Sequence, residues 1–357
     1  MPSFKTCMKL SRRTMVLATG AAALFAWNVG GASAADITLK YSDHDPLGGM
    51  RTNFVKNVWL AEIEKQSGGK VKIQDFWGGA LMSSKEAMKG VGGGVSDMGF
   101  IFPGHYPGEL PGHSIFNLFP RGPNKFADMI WLYRKAYEEV PEIKAELTKV
   151  GVMPMMITAG LPGAFVATKP LKTLADIKGD KWRAGGKWQL RFLENAGAVP
   201  VSVPWDDVYM ALQTGTIVGC FTNYDGLNLM KFDEVGKNVM ISKQLWYATP
   251  FVHLMNIKKF ESLPKDVQQT ILKASEVAEQ KFAAVYDAAF DAIKAKELAA
   301  GYKVTEMSTD DVVRWENAEK LAKLQADWVA ESEKAGMKNA AQAMEKVRAL
   351  HQQAMNR

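Results

Sequence analysis

Downstream of residue 34, short apolar runs alternate with stretches whose apolar residues return every three or four positions. Residues 37–41 and 70–76 read as strands, and 50–65, with Phe54, Val58, Leu60 and Ala61 as apolar positions, reads as an amphipathic helix between them. A helix over 83–89 and a strand over 97–102 extend the series, the order expected of a largely parallel sheet with crossover helices. A glycine- and proline-rich surface loop, 103–123, leads into a long helix, 124–149, and a buried strand, 152–158. Gly160-Leu161-Pro162-Gly163 then opens a second series, with strands over 164–168, 181–184, 199–203, 217–220 and 239–241 and helices over 187–196 and 205–214. Residues 251–257 are again a strand. The junction near 160 and the strand after Pro250 are therefore the expected hinges. The expected division is one α/β lobe from 35–160 with 250–288, and a second from 161–249 with 289–357. Beyond Pro264, Val267, Ile271, Ala274, Ala278, Phe282, Val285, Ala289 and Ile293 keep a helical period to residue 299. That helix would be about 54 Å long, enough to brace both lobes. The C-terminal helices, with Val312, Trp315, Leu321, Leu324, Trp328 and Val329, are expected to pack on their own lobes and leave a monomer, with a crossing to a partner as the alternative.

The first 34 residues have a different character. Lys5, Lys9, Arg12 and Arg13 precede an apolar stretch over 15–29, and Ala32-Ser33-Ala34 offers a cleavage site. This pattern is a signal peptide, cut after Ala34, and places the mature chain in the periplasm. Ser11-Arg12-Arg13-Thr14-Met15-Val16 favours the twin-arginine export route over the general one. Removal of the four cations takes the formal charge from +6 to +2, so no footprint for nucleic acid or for an anionic membrane remains. Cys7 leaves with the signal, and Cys220 then has no intrachain partner. Ten tryptophans and 47% apolar residues suit a packed globule.

Motifs for catalysis are missing their parts. Gly90-Val91-Gly92-Gly93-Gly94 follows a helix and precedes a strand, the reverse of a dinucleotide-binding turn. His44, His105, His113, His253 and His351 have no metal-ligand spacing, and Asp206-Asp207 sits where a helix start favours acids. No cofactor or metal is expected. The informative stretch is 176–223. There Arg183 lies in a strand and is followed by Gly185-Gly186 and a helix, so a guanidinium fork and free helix-start N–H groups converge on one spot. They would suit a carboxylate. A structural ion pair for Arg183 is the equally simple alternative.

The runs "LADIKGDKWRAGG" and "AGAVPVSVPWDDVYMALQTG", with Asn223 forty residues after Arg183, resemble the solute-binding subunits of tripartite ATP-independent periplasmic (TRAP) transporters, the DctP type. Upstream, "EIEKQSGGKVKIQDFWGGALMSSKEAMKGVGGGVSDMGF" is similar to the first lobe of that family. The likeness spans essentially the whole mature chain. It implies a two-lobed periplasmic-binding-protein fold of α/β class, closure about a hinge, and delivery of the solute to a membrane permease driven by sodium. It also implies that Arg183 pairs with a ligand carboxylate and that Asn223 lies in the same cleft.

The family's usual V-V-D-G segment reads Ile217-Val218-Gly219-Cys220 here, which puts its local role in question. Gly163 and Phe102 stand where sialic-acid-binding members carry a second arginine and an acidic residue, which argues against a sugar acid. Phe100, Phe102, His105, Tyr106, Phe165, Trp188, Phe221, Tyr224 and Trp246 are the expected aromatic wall, suited to an apolar or aromatic carboxylate. His44 and Asp45 follow the first strand, where open α/β sheets place ligand groups. An exported enzyme, lyase-like and acting on an organic acid in the same cleft, and a ligand sensor for a receptor remain as alternatives.

Overall fold

A computed structural model describes residues 37–247 and 249–357. The expected signal peptide, with Cys7, lies outside the described residues. Four strands, β1 (Ile37–Ser42), β2 (Val71–Phe76), β3 (Met98–Ile101) and β4 (Val152–Thr158), start a first sheet. The chain then crosses to a second sheet through residues 159–162 and lays down β5 (Gly163–Ala167), β6 (Lys181–Ala184), β7 (Val199–Val201), β8 (Gly219–Asn223) and β9 (Asn238–Ile241). It returns with β10 (Phe251–Asn256), and β11 (Lys303–Glu306) ends in the second sheet. The strand orders are β2-β1-β3-β10-β4 and β11-β9-β5-β8-β6-β7.

Both sheets are mixed. β1 runs parallel to β2 and β3, and β6 parallel to β7 and β8, as the helix-strand alternation predicts. β10 is antiparallel to β3 and β4, and β5 is antiparallel to β8 and β9. These two strands arrive from the other lobe without a crossover helix inside their own sheet, and parallel pairing requires such a crossover. Every residue of β3, β5, β8 and β10 is buried, whereas β2, β7 and β11 at the edges alternate or stay open to solvent. Strands covered on both faces read as continuous apolar runs, which is why they stood out in the sequence.

Several boundaries differ from expectation for local reasons. The helix from 50 to 66 is continuous but makes a π-helical turn at Val55–Leu60. The helix expected over 124–149 is two, Phe126–Glu139 and Pro141–Lys149, because Pro141 forces Val140 out of the helical region (φ −123°, ψ 83°). The fourth strand of the second sheet falls at β8 rather than at 217–220, since Gly219 must pass under Trp182. A Cβ on Gly219 would lie 2.4 Å from that indole, and this close approach accounts for a glycine where the family pattern differs.

The helix after Pro264, Lys265–Ala299, runs unbroken for 35 residues. It touches both lobes. Trp59 Nε1 donates to Ser275 Oγ at 2.9 Å and the Ile157 N–H donates to Glu279 at 2.8 Å on the first lobe. On the second, the Tyr224 hydroxyl donates to Glu297 at 2.6 Å. The C-terminal helices pack on their own chain. Helix Ala340–Met355 lies against Phe126–Glu139, with His351 stacked on Phe119 at 4.5 Å and bonded to the Arg121 carbonyl at 2.7 Å. Trp328 donates to Ser114 Oγ at 2.9 Å. The last helix thus contacts the first lobe, not only the second to which the sequence pattern assigned it. Among the described residues, no helix is long and apolar enough to cross a membrane.

Candidate functional site

β6 holds Arg183 within the second sheet, in register with Val201 on β7 and Cys220 on β8. Its exposure is 1%. Nε donates to the Val203 carbonyl at 3.1 Å, Nη1 lies 3.8 Å from Cys220 Sγ, and the guanidinium carbon is 5.4 Å from the centre of the Trp205 ring. Burial pushes the Cys220 thiol above its ordinary pKa despite the nearby arginine, so it stays neutral and supplies no counter-charge. Among the described residues no carboxylate lies within ion-pair distance of Arg183. The structural ion pair that the sequence left open is therefore not what holds this side chain. A guanidinium withdrawn from water without a counter-charge is costly, and the fork matches a carboxylate.

After Arg183 the chain turns through Gly185 and Gly186 into helix Lys187–Asn195, whose N-cap, Gly186, makes no side-chain cap. These glycines exist for contact across the cleft. A Cβ on Gly185 would lie 2.2 Å from the Tyr247 hydroxyl, and one on Gly186 would lie 3.2 Å from the Gly104 carbonyl of the first lobe. Beside them an outer cavity of about 500 Å³ is lined by Arg183, Lys85, Lys187, His105 and Trp205, among others. The lining also includes Arg191 and Glu194, and with Lys187 and Arg191 paired to Glu331 and Asp327, Arg183 and Lys85 are its cations without an ion pair among the described residues, which favours an anion there.

His105 and Trp205 also line a small inner cavity of about 30 Å³ at the junction of the lobes. That volume suits one or two waters, so the walls must part for anything larger. Phe100, Phe102, Phe251 and Tyr247 form its apolar sides, and His44, Asp45, Arg51, Asn223 and Asp225 its polar ones. His44 stacks on Phe100 at 4.9 Å and lies 5.7 Å from His105. Burial, reinforced by His44, Arg183 and Lys85, holds His105 well below the usual imidazole range. The Nδ1 atoms of both His44 and His105 are buried without a hydrogen-bond partner among the described residues. Asn223, at the end of β8, donates from Nδ2 to Asp225 at 2.8 Å and fits against Gly160, where a Cβ would lie 2.7 Å away. Burial raises the Tyr247 hydroxyl to about 12, keeping it a neutral donor.

Below this cavity lies a buried ionic cluster that sequence reasoning missed. Arg51 places Nη1 and Nη2 on the two oxygens of Asp43 at 2.7 and 3.0 Å, reaches Asp45 at 2.7 Å, and lies 3.6 Å over the Phe100 ring. Burial alone would raise the pKa of Asp45, but His44, Arg51 and a hydrogen bond from Trp205 together hold it below the ordinary value. That last bond, Trp205 Nε1 to Asp45 Oδ1 at 2.7 Å, joins the lobes, as does Ser84 Oγ to Asp206 at 2.9 Å. Arg51 falls in the helix expected over 50–65, where no role was assigned to it. The available signal was two acids, Asp43 and Asp45, between a strand end and the arginine.

Of the expected site residues, His44, Asp45, Phe102, His105 and Asn223 meet at the inner cavity, with Arg183 on the adjoining wall. Phe100, from the wider aromatic set, joins them. Others stand elsewhere. Phe165 and Phe221, 4.7 Å apart, pack with Trp315 in the second lobe's core, although Phe221 also backs Tyr247 at 5.9 Å. Trp188 lies between Lys187 and Arg191, whose charges are 5.2 and 5.4 Å from its ring. Tyr224 turns to the long helix. Trp246 stacks on Tyr133 at 6.1 Å in the first lobe, and the Tyr106 hydroxyl donates to the Ser84 carbonyl at 2.6 Å. Each of these aromatic rings is satisfied by core packing, the commonest fate of a large apolar side chain.

Two mixed sheets, two crossings, a bracing helix and a buried cation in the cleft between them define a two-lobed solute-binding protein. The description "Bacterial extracellular solute-binding protein, family 7" (DctP) matches residues 46–353, and the chain belongs to this family, that of the solute-binding subunits of TRAP transporters. A solute-binding protein of Albidiferax ferrireducens is 29% identical over 321 residues, covering 86% of this chain and 92% of that one. Among solved structures, a TRAP solute-binding protein from Rhodoferax ferrireducens with copurified benzoate has a TM-score of 0.78 at 22% identity, covering 89% of this chain and 98% of the other. A Bordetella pertussis extracytoplasmic solute receptor binding pyroglutamic acid has a TM-score of 0.75 at 22% identity, covering 87% and 99%. At these identities the structural likeness establishes the fold.

Proposed function

We propose that the mature protein, exported to the periplasm, captures a small carboxylate in the cleft by closure about the crossing at 159–162 and the start of β10, and presents it to a TRAP permease. The observation that carries this reading is Arg183, buried without an anionic partner beside the outer cavity. In this reading the ligand carboxylate supplies the missing charge, Asn223 and His105 make further polar contacts, and Phe100, Phe102 and Phe251 bound the apolar part. Proteins of the same fold bind benzoate, 3-hydroxybenzoate, pyroglutamate and β-D-glucuronate, which agrees with a small carboxylate. The inner cavity is too small for such an acid, so capture requires its walls to part and close again.

A thermal-shift screen of benzoate, 3-hydroxybenzoate, pyroglutamate and short 2-oxoacids tests the ligand class, since a ligand at 100 times its Kd adds about 2.7 kcal/mol to stability. For any acid that binds, Arg183→Ala is expected to weaken affinity by roughly 2–5 kcal/mol in calorimetry. Arg183→Lys should also bind worse, because the two-pronged contact is lost. Unchanged affinity in Arg183→Ala would remove this residue as the anchor.

A further inference from the structure

The carboxylate reading gives roles to Arg183 and the apolar walls but leaves one charged group of the inner cavity unused. Asp43 and Asp45 are both paired with Arg51. Asp225 is not. It follows Asn223 at the start of Tyr224–Leu229, is 7% exposed, and lines the inner cavity beside Asn223 and Gly226. Its Oδ1 accepts hydrogen bonds from the Leu161 N–H and from Asn223 Nδ2, each at 2.8 Å. Among the described residues Oδ2 receives no hydrogen bond, and no lysine, arginine or histidine forms an ion pair with the group. Burial raises its pKa, and hydrogen bonds from Asn223, the Leu161 N–H and its own N–H, with the charge of Arg51, only partly offset this.

We infer that Asp225 Oδ2 receives a hydrogen bond from the ligand, so that the protein selects small carboxylates carrying an N–H or O–H donor at the end remote from the carboxylate. This rests on the carboxylate reading and names the kind of acid. The sheet sets the spacing. Arg183 stands level with Cys220 on β8, whereas Asp225 lies two residues past the end of that strand, so a ligand that touches both must carry its donor away from its carboxylate. A hydrogen bond to an ionised oxygen is stronger than one between neutral groups. An analogue without the donor would leave Oδ2 desolvated and unpaired, and such sites reject the deficient analogue more strongly than its small chemical difference suggests.

Asp225 also ties the crossing at Leu161 to the end of β8 through Oδ1, and that role alone would make it structural. Asp225→Asn separates the two roles. The amide oxygen can keep the Leu161 and Asn223 contacts, which leaves an NH₂ donor where Oδ2 stood. The experiment uses protein stripped of ligand by unfolding and refolding, with calorimetry on two matched pairs: 4-hydroxybenzoate against benzoate for an O–H donor, and 4-aminobenzoate against 4-methylbenzoate for an N–H donor. In the wild type, the donor-bearing member of at least one pair is expected to bind on the order of tenfold tighter or more. In Asp225→Asn that preference should vanish or invert. Wild-type protein that binds both members of each pair equally overturns the inference and leaves the carboxylate reading standing. So does a variant in which both members weaken by the same factor. If Asp225→Asn does not fold, the wild-type pairs alone decide. A wild type that binds none of the four acids overturns the carboxylate reading and the inference with it.

Discussion

At the scale of single residues, the cleft holds two buried ionic groups without an ion-pair partner among the described residues, Arg183 and Asp225. Arg51 is saturated by Asp43 and Asp45, whereas Arg183 has a carbonyl and a neutral thiol for company. Trp205 connects these environments, since its ring lies beside Arg183 and its Nε1 bonds Asp45 across the cleft. Trp205→Phe keeps the apolar plate and removes only that bond to an ionised acceptor. It is expected to cost about 1.5–3 kcal/mol of closed-state stability, read in calorimetry as ligand affinity weakened tenfold or more. Equal affinity in wild type and variant would show that the bond does not contribute to closure. Arg183 and Asn223 were legible because a run of neighbouring residues carried them, and His44 and Asp45 because strand ends are where sheets present ligand groups. Arg51 and Trp205 were not. Their partners are 6–8 and 160 residues away, and no local periodicity records such a meeting.

At the scale of elements, the long helix matters most. Its period and its length, enough to brace both lobes, were plain in the sequence, but the side chains that make those contacts were not. Glu297 near its end is pushed up to about 7 by burial, against an opposing effect of the Tyr224 hydroxyl that bonds it. An acid whose pKa is raised in the fold contributes its full stability below its unfolded value, near 4.5, and that contribution is lost as pH rises through 7. Wild-type melting temperature should therefore fall over this window relative to Glu297→Gln, which keeps an acceptor for Tyr224 and does not titrate. The two should converge near pH 4.5, and parallel curves from pH 4 to 8 would contradict the assignment. Short elements were harder to read. β11, Lys303–Glu306, has only two apolar-leaning positions and exists because β9 offers it an open edge. Pro141 divided a helix whose apolar period runs through the break.

At the scale of the molecule, the Trp205–Asp45 and Ser84–Asp206 bonds and the close approach of Gly104 to Gly186 are among the contacts that join the cleft walls. Links of this size between two separate sheets suit an equilibrium between open and closed forms that a ligand can shift. Solution scattering on stripped protein should give a larger radius of gyration than the same protein saturated with a bound carboxylate. An identical radius in both conditions would count against closure on ligand.

The sequence by itself determined the α/β class, nearly every long or fully buried strand, the bracing helix and the strand-borne arginine followed by two glycines. These are local, since they depend on period, on glycine and proline, and on residues within one turn or strand of each other. Only the tertiary structure decided that Arg183 has no counter-ion, that Phe165, Phe221, Tyr224, Trp188 and Trp246 serve packing elsewhere, and that Asp225 lines the cavity with one oxygen unpaired. The reason is that an aromatic or charged side chain is equally compatible with core and cleft until the opposite wall is placed. In this fold that wall belongs to the other lobe, often more than a hundred residues away in the chain.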